Sequence, residues 1–86
     1  MPEISRFFGI VIAMFYNEHN PPHFHARYGE HKVEVDIQTL SALAGKLPPR
    51  AMGLVIDWAS RHQDELMADW ALARQAAELN RIEPLE

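Results

Sequence analysis

Cysteine is absent from this 86-residue chain, and its uninterrupted apolar stretches are short. Without cysteine there is no disulfide framework and no thiolate metal site. No apolar run approaches the ~18 residues of a membrane-spanning helix, so no membrane association is predicted. The first residues also lack the basic segment and the small-residue cleavage site of a signal peptide. We therefore expect a cytoplasmic protein.

Basic residues are also few. Eight Lys and Arg stand against twelve Asp and Glu, which gives a formal net charge of −4. Nucleic-acid binding uses Lys and Arg to displace counterions from phosphates, so this balance opposes strong non-specific binding. A nucleic-acid partner would need a local basic patch. The length predicts one small domain over residues 1–86, whose modest core favours oligomerisation or a bound partner.

The longest apolar stretch is "FFGIVIAMFY", residues 7–16, which is β-branched at its centre. Its length and composition favour one strand over a helix. Alternate residues would face the core, and the other face would carry Phe7, Val11, Ala13 and Phe15. Little in a chain of this length is left to cover that second face, and an exposed apolar patch is typical of an interface. We expect a homodimer or a small protein partner there.

A β-hairpin is predicted in "HFHARYGEHKVEVDI", residues 23–37, with Gly29-Glu30 as a type II′ turn. That turn sets the register, and the opposed pairs on one face are His23–Asp36, His25–Glu34 and Arg27–Lys32. Arg27 and Lys32 carry like charges, and we expect a diagonal contact between Arg27 and Glu34 to relieve their repulsion. The other face, with Phe24 and Val35 among its residues, would pack against helices.

Two helices are predicted after a weakly structured connector over residues 38–47. Residues 47–62 have an apolar face at helical spacing that includes Trp58, and residues 63–79 form a second helix with Trp70 turned inward. Both tryptophans are expected to be packing residues, and Asp69 is expected to be solvated. The predicted fold class is α+β: a three-stranded antiparallel β-meander in the order β-β-β-α-α, packed on two C-terminal helices.

Three of the five histidines lie within seven positions, in "YNEHNPPHFHAR". His23 and His25 would share one strand face, about 6.5–7 Å apart at Cα. His19, from the preceding loop, could complete a three-histidine site with an open position, as in catalytic zinc sites. Asp36 and Glu34 would then orient the imidazoles. This interpretation predicts a metal-dependent hydrolase whose cofactor is a divalent metal such as zinc.

Two other interpretations of the same residues remain open. In the first, His23 and His25 work without metal as general acid and base, each oriented by Asp36 or Glu34, while Arg27 or Lys32 holds a phosphate. That arrangement would suit cleavage of RNA. In the second, the histidines are structural, paired with carboxylates across a solvated sheet face, and the chain is a structural or metal-binding module without catalysis.

The segments "MPEISRFFGIVIAMFYNEHNPPHFHARYGE", "GKLPPRA" and "IEPLE" resemble a family of small bacterial proteins known only as a domain of unknown function. The resemblance extends over nearly the whole chain. Members of that family often occur in two-gene arrangements that look like toxin–antitoxin modules. The resemblance therefore implies a toxin–antitoxin-like or regulatory role that is exercised through a protein partner.

Overall fold

The computed structural model describes residues 2–85; the first and last residues of the predicted domain lie outside the described part. It is an α+β structure with one antiparallel sheet and two C-terminal helices, as predicted. The sheet has five strands in the meander order β1-β2-β3-β4-β5, so the prediction of three strands is wrong. The elements are β1 (Glu3–Phe7), β2 (Ile10–Ala13), β3 (His23–Tyr28), β4 (His31–Asp36), β5 (Ala42–Lys46), α1 (Pro49–Ser60) and α2 (Gln63–Arg74).

The first correction concerns a turn inside the apolar stretch. Phe8 and Gly9 both have positive φ, at 50° and 78°, and Phe7 pairs with Ile10. Two central residues with positive φ define a type I′ hairpin turn. The predicted strand over residues 7–16 is therefore a hairpin of β1 and β2. The turn also reverses the predicted positions of two phenylalanines. Phe7, predicted on the outer face, is buried in the core, whereas Phe8 is 56% exposed.

Most of the expected apolar patch is not exposed. Phe7 lies on the helix side and packs against Trp58, with ring centroids 5.5 Å apart. Val11 and Ala13 lie on the opposite sheet face, yet both are buried. Phe15 alone of the four stays partly exposed. The prediction of a continuous uncovered face is wrong.

The second correction is strand β5, within the segment predicted to have weak structure. It pairs with β4 across a register shift between Glu34 and Val35, and all five of its residues are exposed. Gly45 has φ +72°, and a Cβ there would lie 2.3 Å from the carbonyl oxygen of Lys32. Only glycine fits such a close approach without displacing the backbone. Gly45 therefore sets how closely β5 can lie against β4.

The central hairpin has the predicted register. His23 pairs with Asp36, His25 with Glu34 and Arg27 with Lys32. Gly29 has φ +60°, as a type II′ turn requires at its first central position. On the helix-facing side, Phe24 and Val35 are each at 0% exposure.

Both helices form where the apolar periodicity predicts them, but the second is shorter. Helix α2 ends at Arg74 because Ala76 takes a left-handed conformation at φ 56°. The amide of Ala77 then donates to the Leu72 carbonyl, at 2.9 Å, and that of Ala76 donates to Ala73. This pattern is a Schellman termination. The prediction that the second helix continues to residue 79 is therefore wrong.

One cluster of buried side chains joins the sheet, both helices and the final segment. Trp58 lies at its centre, with no exposed surface, and its indole Nε1 donates to the Glu83 carbonyl at 2.8 Å. The amide of Ile82 donates to the Ile4 carbonyl, also at 2.8 Å, which attaches the final segment beside β1. Asp69 belongs to the buried set at 1% exposure, so the prediction that it is solvated is wrong. No helix in residues 2–85 is long and apolar enough to cross a membrane.

Candidate functional site

The side chains of Glu18, His23 and His25 converge where β3 begins. The Nε2 atom of His25 lies 2.5 Å from Oε1 of Glu18, and the Nε2 atom of His23 lies 3.3 Å from that same oxygen. The two imidazoles have ring centroids 5.3 Å apart. Alternation along β3 places both histidines on one sheet face, and the preceding loop brings Glu18 back over them. We call these three residues the His–Glu cluster.

The proton on the ring of His23 can be assigned from its surroundings. Its Nδ1 lies 2.8 Å from the carbonyl oxygen of Pro21. A carbonyl only accepts, so Nδ1 carries a proton and donates it. In the neutral ring the lone pair is then on Nε2, which faces Oε1 of Glu18 at 3.3 Å and Oε1 of Glu34 at 3.8 Å. A lone pair and two carboxylates repel one another, and a cation bound between them would relieve that repulsion.

Packing holds both imidazoles in place. His23 is only 6% exposed, and the ring of Trp70 from α2 lies against it with centroids 5.3 Å apart. Phe15 meets His25 edge-on, with centroids 4.5 Å apart. Trp70 is buried, as predicted, and its contact with His23 gives it a second role that its helical spacing does not indicate. Aromatic packing of this kind fixes ring orientation and excludes water from one side.

The carboxylate of Glu18 is held in its ionised form. Burial disfavours its charge, but the hydrogen bond with His25 and the charges of His25 and His23 outweigh that effect and lower the pKa of Glu18. A carboxylate that stays charged beside two imidazoles is a suitable ligand for a cation.

The remaining predicted site residues have separate positions. Asp36 lies opposite His23, but its Oδ1 accepts hydrogen bonds from the amides of Gln38 and Thr39, at 2.7 and 2.9 Å, and so stabilises a turn. Glu34 is directed toward His23 rather than toward Arg27, and the expected diagonal contact with Arg27 is not among the ion pairs of residues 2–85. Arg27 is exposed on the same face as the histidines.

His19 does not reach the two strand histidines. Within residues 2–85, the group of potential metal ligands consists of Glu18, His23 and His25, whose ligand atoms all lie within 4.8 Å of one another. His19 is exposed and lines a shallow depression beside this group. Glu18 therefore takes the position that sequence reasoning gave to His19. The available signal was the spacing Glu-x4-His-x-His, in which an acid precedes two histidines of one strand face.

Comparison with known proteins identifies a family but no function. The model of the Domain of unknown function (DUF4160) matches residues 9–71, a segment that includes the His–Glu cluster. No curated protein and no solved structure matches the chain.

Proposed function

The chain belongs to the DUF4160 family, and we propose that its function depends on a divalent transition metal, zinc first of all, bound by Glu18, His23 and His25. The observation that carries the proposal is the pair of contacts made by His23. Its Nδ1 donates to the Pro21 carbonyl, and its Nε2 faces the carboxylate of Glu18. Metal-binding histidines have this arrangement, with one ring nitrogen donating to a backbone or carboxylate oxygen and the other bound to the metal.

The spacing of the ligand atoms supports the same ion. Two ligands placed roughly 2.05 Å from a tetrahedral zinc ion lie about 3.3 Å apart. The distance from His23 Nε2 to Glu18 Oε1 is 3.3 Å. The distance from His25 Nε2 to that oxygen is 2.5 Å, so zinc binding would move Glu18 away from His25 by about 0.8 Å. Two imidazoles and one carboxylate suit zinc or iron better than magnesium or calcium.

Three protein ligands leave one position open on a tetrahedral ion, and an open position is typical of catalytic zinc sites. Zinc in such a site lowers the pKa of a bound water, which makes it a nucleophile at neutral pH. Glu34 has its Oε1 3.8 Å from His23 Nε2 and is 40% exposed, so its carboxylate is in reach of a water in that position. Glu34 would then be the residue that orients such a water and accepts its proton, and the chemistry supplied would be hydrolytic.

Isothermal titration of tag-free protein with zinc tests the proposal. We expect one ion per chain for the wild type. Glu18→Gln and His23→Gln should each weaken binding by at least about 10-fold, since loss of a ligand costs at least as much as loss of an orienting partner. Metal content measured after purification without chelators gives an independent readout.

Two control variants make the test selective. His62→Gln alters a second histidine–glutamate pair, in which Nδ1 of His62 lies 2.5 Å from Oε1 of Glu65, and it should leave zinc binding unchanged. His19→Gln should also leave it unchanged. The proposal is wrong if the wild type binds no zinc, or if His19→Gln abolishes binding while Glu18→Gln does not.

One contact favours metal-free acid–base chemistry as a second candidate. His25 and Glu18 share a hydrogen bond, and a carboxylate that orients an imidazole in this way suits a general acid or base. Incubation with RNA in excess chelator separates the candidates. Cleavage that persists under chelation and disappears in His25→Ala would favour the metal-free enzyme over the zinc site.

We also propose that the protein acts through a partner, in the toxin–antitoxin-like pair that the resemblance implies, as a homodimer or with a small protein. The exposed aromatic side chains of Phe8 and Tyr28, at 56% and 40%, support a contact surface. Expression of the chain alone should arrest growth if it is the toxin, and His25→Ala should relieve the arrest. Harmless expression of the wild type would contradict the toxin role. Light scattering that shows a strict monomer would contradict the homodimer.

A further inference from the structure

Three cations lie side by side across the sheet face that carries the His–Glu cluster. Arg27 pairs with Lys32 across β3 and β4, and Lys32 pairs with Lys46 across β4 and β5. Directly opposed residues share a face of the sheet, with Cβ atoms about 5 Å apart. All three are exposed, and none belongs to an ion pair with another residue in the described part of the chain. We call Arg27, Lys32 and Lys46 the cationic row.

Like charges placed directly opposite each other destabilise a sheet. The carboxylate best placed to relieve the row is Glu34, and it is directed toward His23 instead. The chain has a net charge of −4, so three neighbouring cations are not a consequence of a basic composition. An anionic ligand would relieve their repulsion.

A small cavity over β2 and β3 is lined by residues of both the cationic row and the His–Glu cluster. Its volume is about 170 Å³, and its floor is formed by Val11, Ala13 and Phe15. Arg27 and Lys32 form its rim, and His25 lines it as well. An apolar floor with a few charged groups at its edge is the usual form of a small-molecule site. The volume is below the usual range for a drug-sized ligand, roughly 300–1,000 Å³, so the cavity suits a group no larger than one nucleobase.

We propose that this surface binds a nucleotide unit, with its phosphate on the cationic row and its base in the cavity. An arginine with two neighbouring lysines suits a phosphate, which accepts two parallel hydrogen bonds from a guanidinium. Phe15 offers an aromatic surface for a base. Arg27 is two residues from His25 on the same strand face, about 6.5–7 Å away at Cα, so the bound phosphate lies beside the cluster. The inference rests on the proposed function for its chemistry, since it supplies the substrate class of that site.

Titration of the metal-free protein with adenosine 5′-monophosphate, inorganic phosphate and adenosine tests the proposal. Excess chelator keeps the result independent of zinc binding. We expect the monophosphate to shift the backbone amide resonances of β3, β4 and β5 and to bind more tightly than phosphate, whereas adenosine should not bind. Binding should weaken as salt is raised.

Four variants assign the contacts. Lys32→Gln and Lys46→Gln should each weaken monophosphate binding by about 10-fold, whereas Arg61→Gln, which removes an exposed arginine on the helical side, should not change it. Phe15→Ala should weaken binding of the monophosphate and leave that of phosphate unchanged. Amide spectra of each variant show whether it is folded.

Two results would overturn the inference. Absence of monophosphate binding in a protein that binds zinc would remove the nucleotide site and leave the metal site in place. Equal loss of binding in Arg61→Gln and Lys32→Gln would show a general charge effect in place of a defined row. Failure of zinc binding with intact monophosphate binding would count against the metal site alone.

Discussion

Replacing Gly45 with alanine should destabilise the protein through strand β5. At φ +72° an alanine pays about 1–2 kcal/mol for the left-handed conformation. Its Cβ would also lie 2.3 Å from the Lys32 carbonyl oxygen, so the backbone must move and weaken a strand hydrogen bond worth about 1 kcal/mol. Alanine also lowers the conformational entropy of the unfolded chain, which stabilises the folded protein by about 0.4–1 kcal/mol. The net effect is a loss of about 2 kcal/mol.

Urea denaturation followed by circular dichroism measures this change. Gly53→Ala is the matched control, because Gly53 lies at an exposed position of helix α1 with no atom within 4 Å of an added Cβ. There alanine should raise the free energy of unfolding by about 0.5–1 kcal/mol, since glycine is a poor helix former. The same replacement of glycine by alanine thus lowers stability at residue 45 and raises it at residue 53. If Gly45→Ala were as stable as the wild type, β5 could not lie against β4 as described.

Three further changes test other parts of the structure by urea denaturation. Burial raises the pKa of Asp69, so stability should fall as pH rises from the ordinary value of 3.8 through the raised folded-state value, and Asp69→Asn should remove that slope. The pH dependence due to Glu18 has the opposite sign, because His25 and His23 lower its pKa although burial opposes its charge. Its contribution to stability is present above the ordinary pKa of 4.5 and is lost as pH falls through the folded-state pKa. Glu18→Gln should flatten that loss. Ala76→Gly should stabilise by about 0.5 kcal/mol by relieving a left-handed alanine, and a loss instead would contradict the Schellman ending of α2.

The parts of the fold that the sequence predicts have both periodicity and a turn signal. The hairpin of β3 and β4 has strict alternation beside Gly29, and those two features together fix its register. Helix α1 has an apolar face at helical spacing and proline in its first turn. In both cases the local preference and the buried face agree, so there is one consistent answer.

The missed elements lack one of these signals. Phe8-Gly9 is not a usual hairpin pair, and the apolar residues on both sides of it hide the turn. Strand β5 has no buried residue and no β-branched residue, so its own sequence gives no strand pattern. It is a strand because β4 offers it an unpaired edge. Such tertiary pairing cannot be read from local composition.

The candidate site also has one part that the sequence predicts and one part that it does not. Alternation in the hairpin predicts that His23 and His25 share a face, and the structure agrees. The choice between Glu18 and His19 depends on the path of the loop before β3, where neighbouring residues point in different directions. No periodicity constrains that path. The sequence therefore predicts His19 as the third ligand and assigns no role to Glu18.

The hydrogen bond from His23 to the Pro21 carbonyl has a consequence for how the site can be observed. A backbone carbonyl does not titrate, and no side-chain substitution removes it. The Nδ1 atom of His23 is therefore occupied by a contact that no side-chain variant of the cluster can disturb. A metal ion bound by this ring must then be bound at Nε2. The nitrogen-15 resonance of that one atom reports the occupancy of the whole cluster.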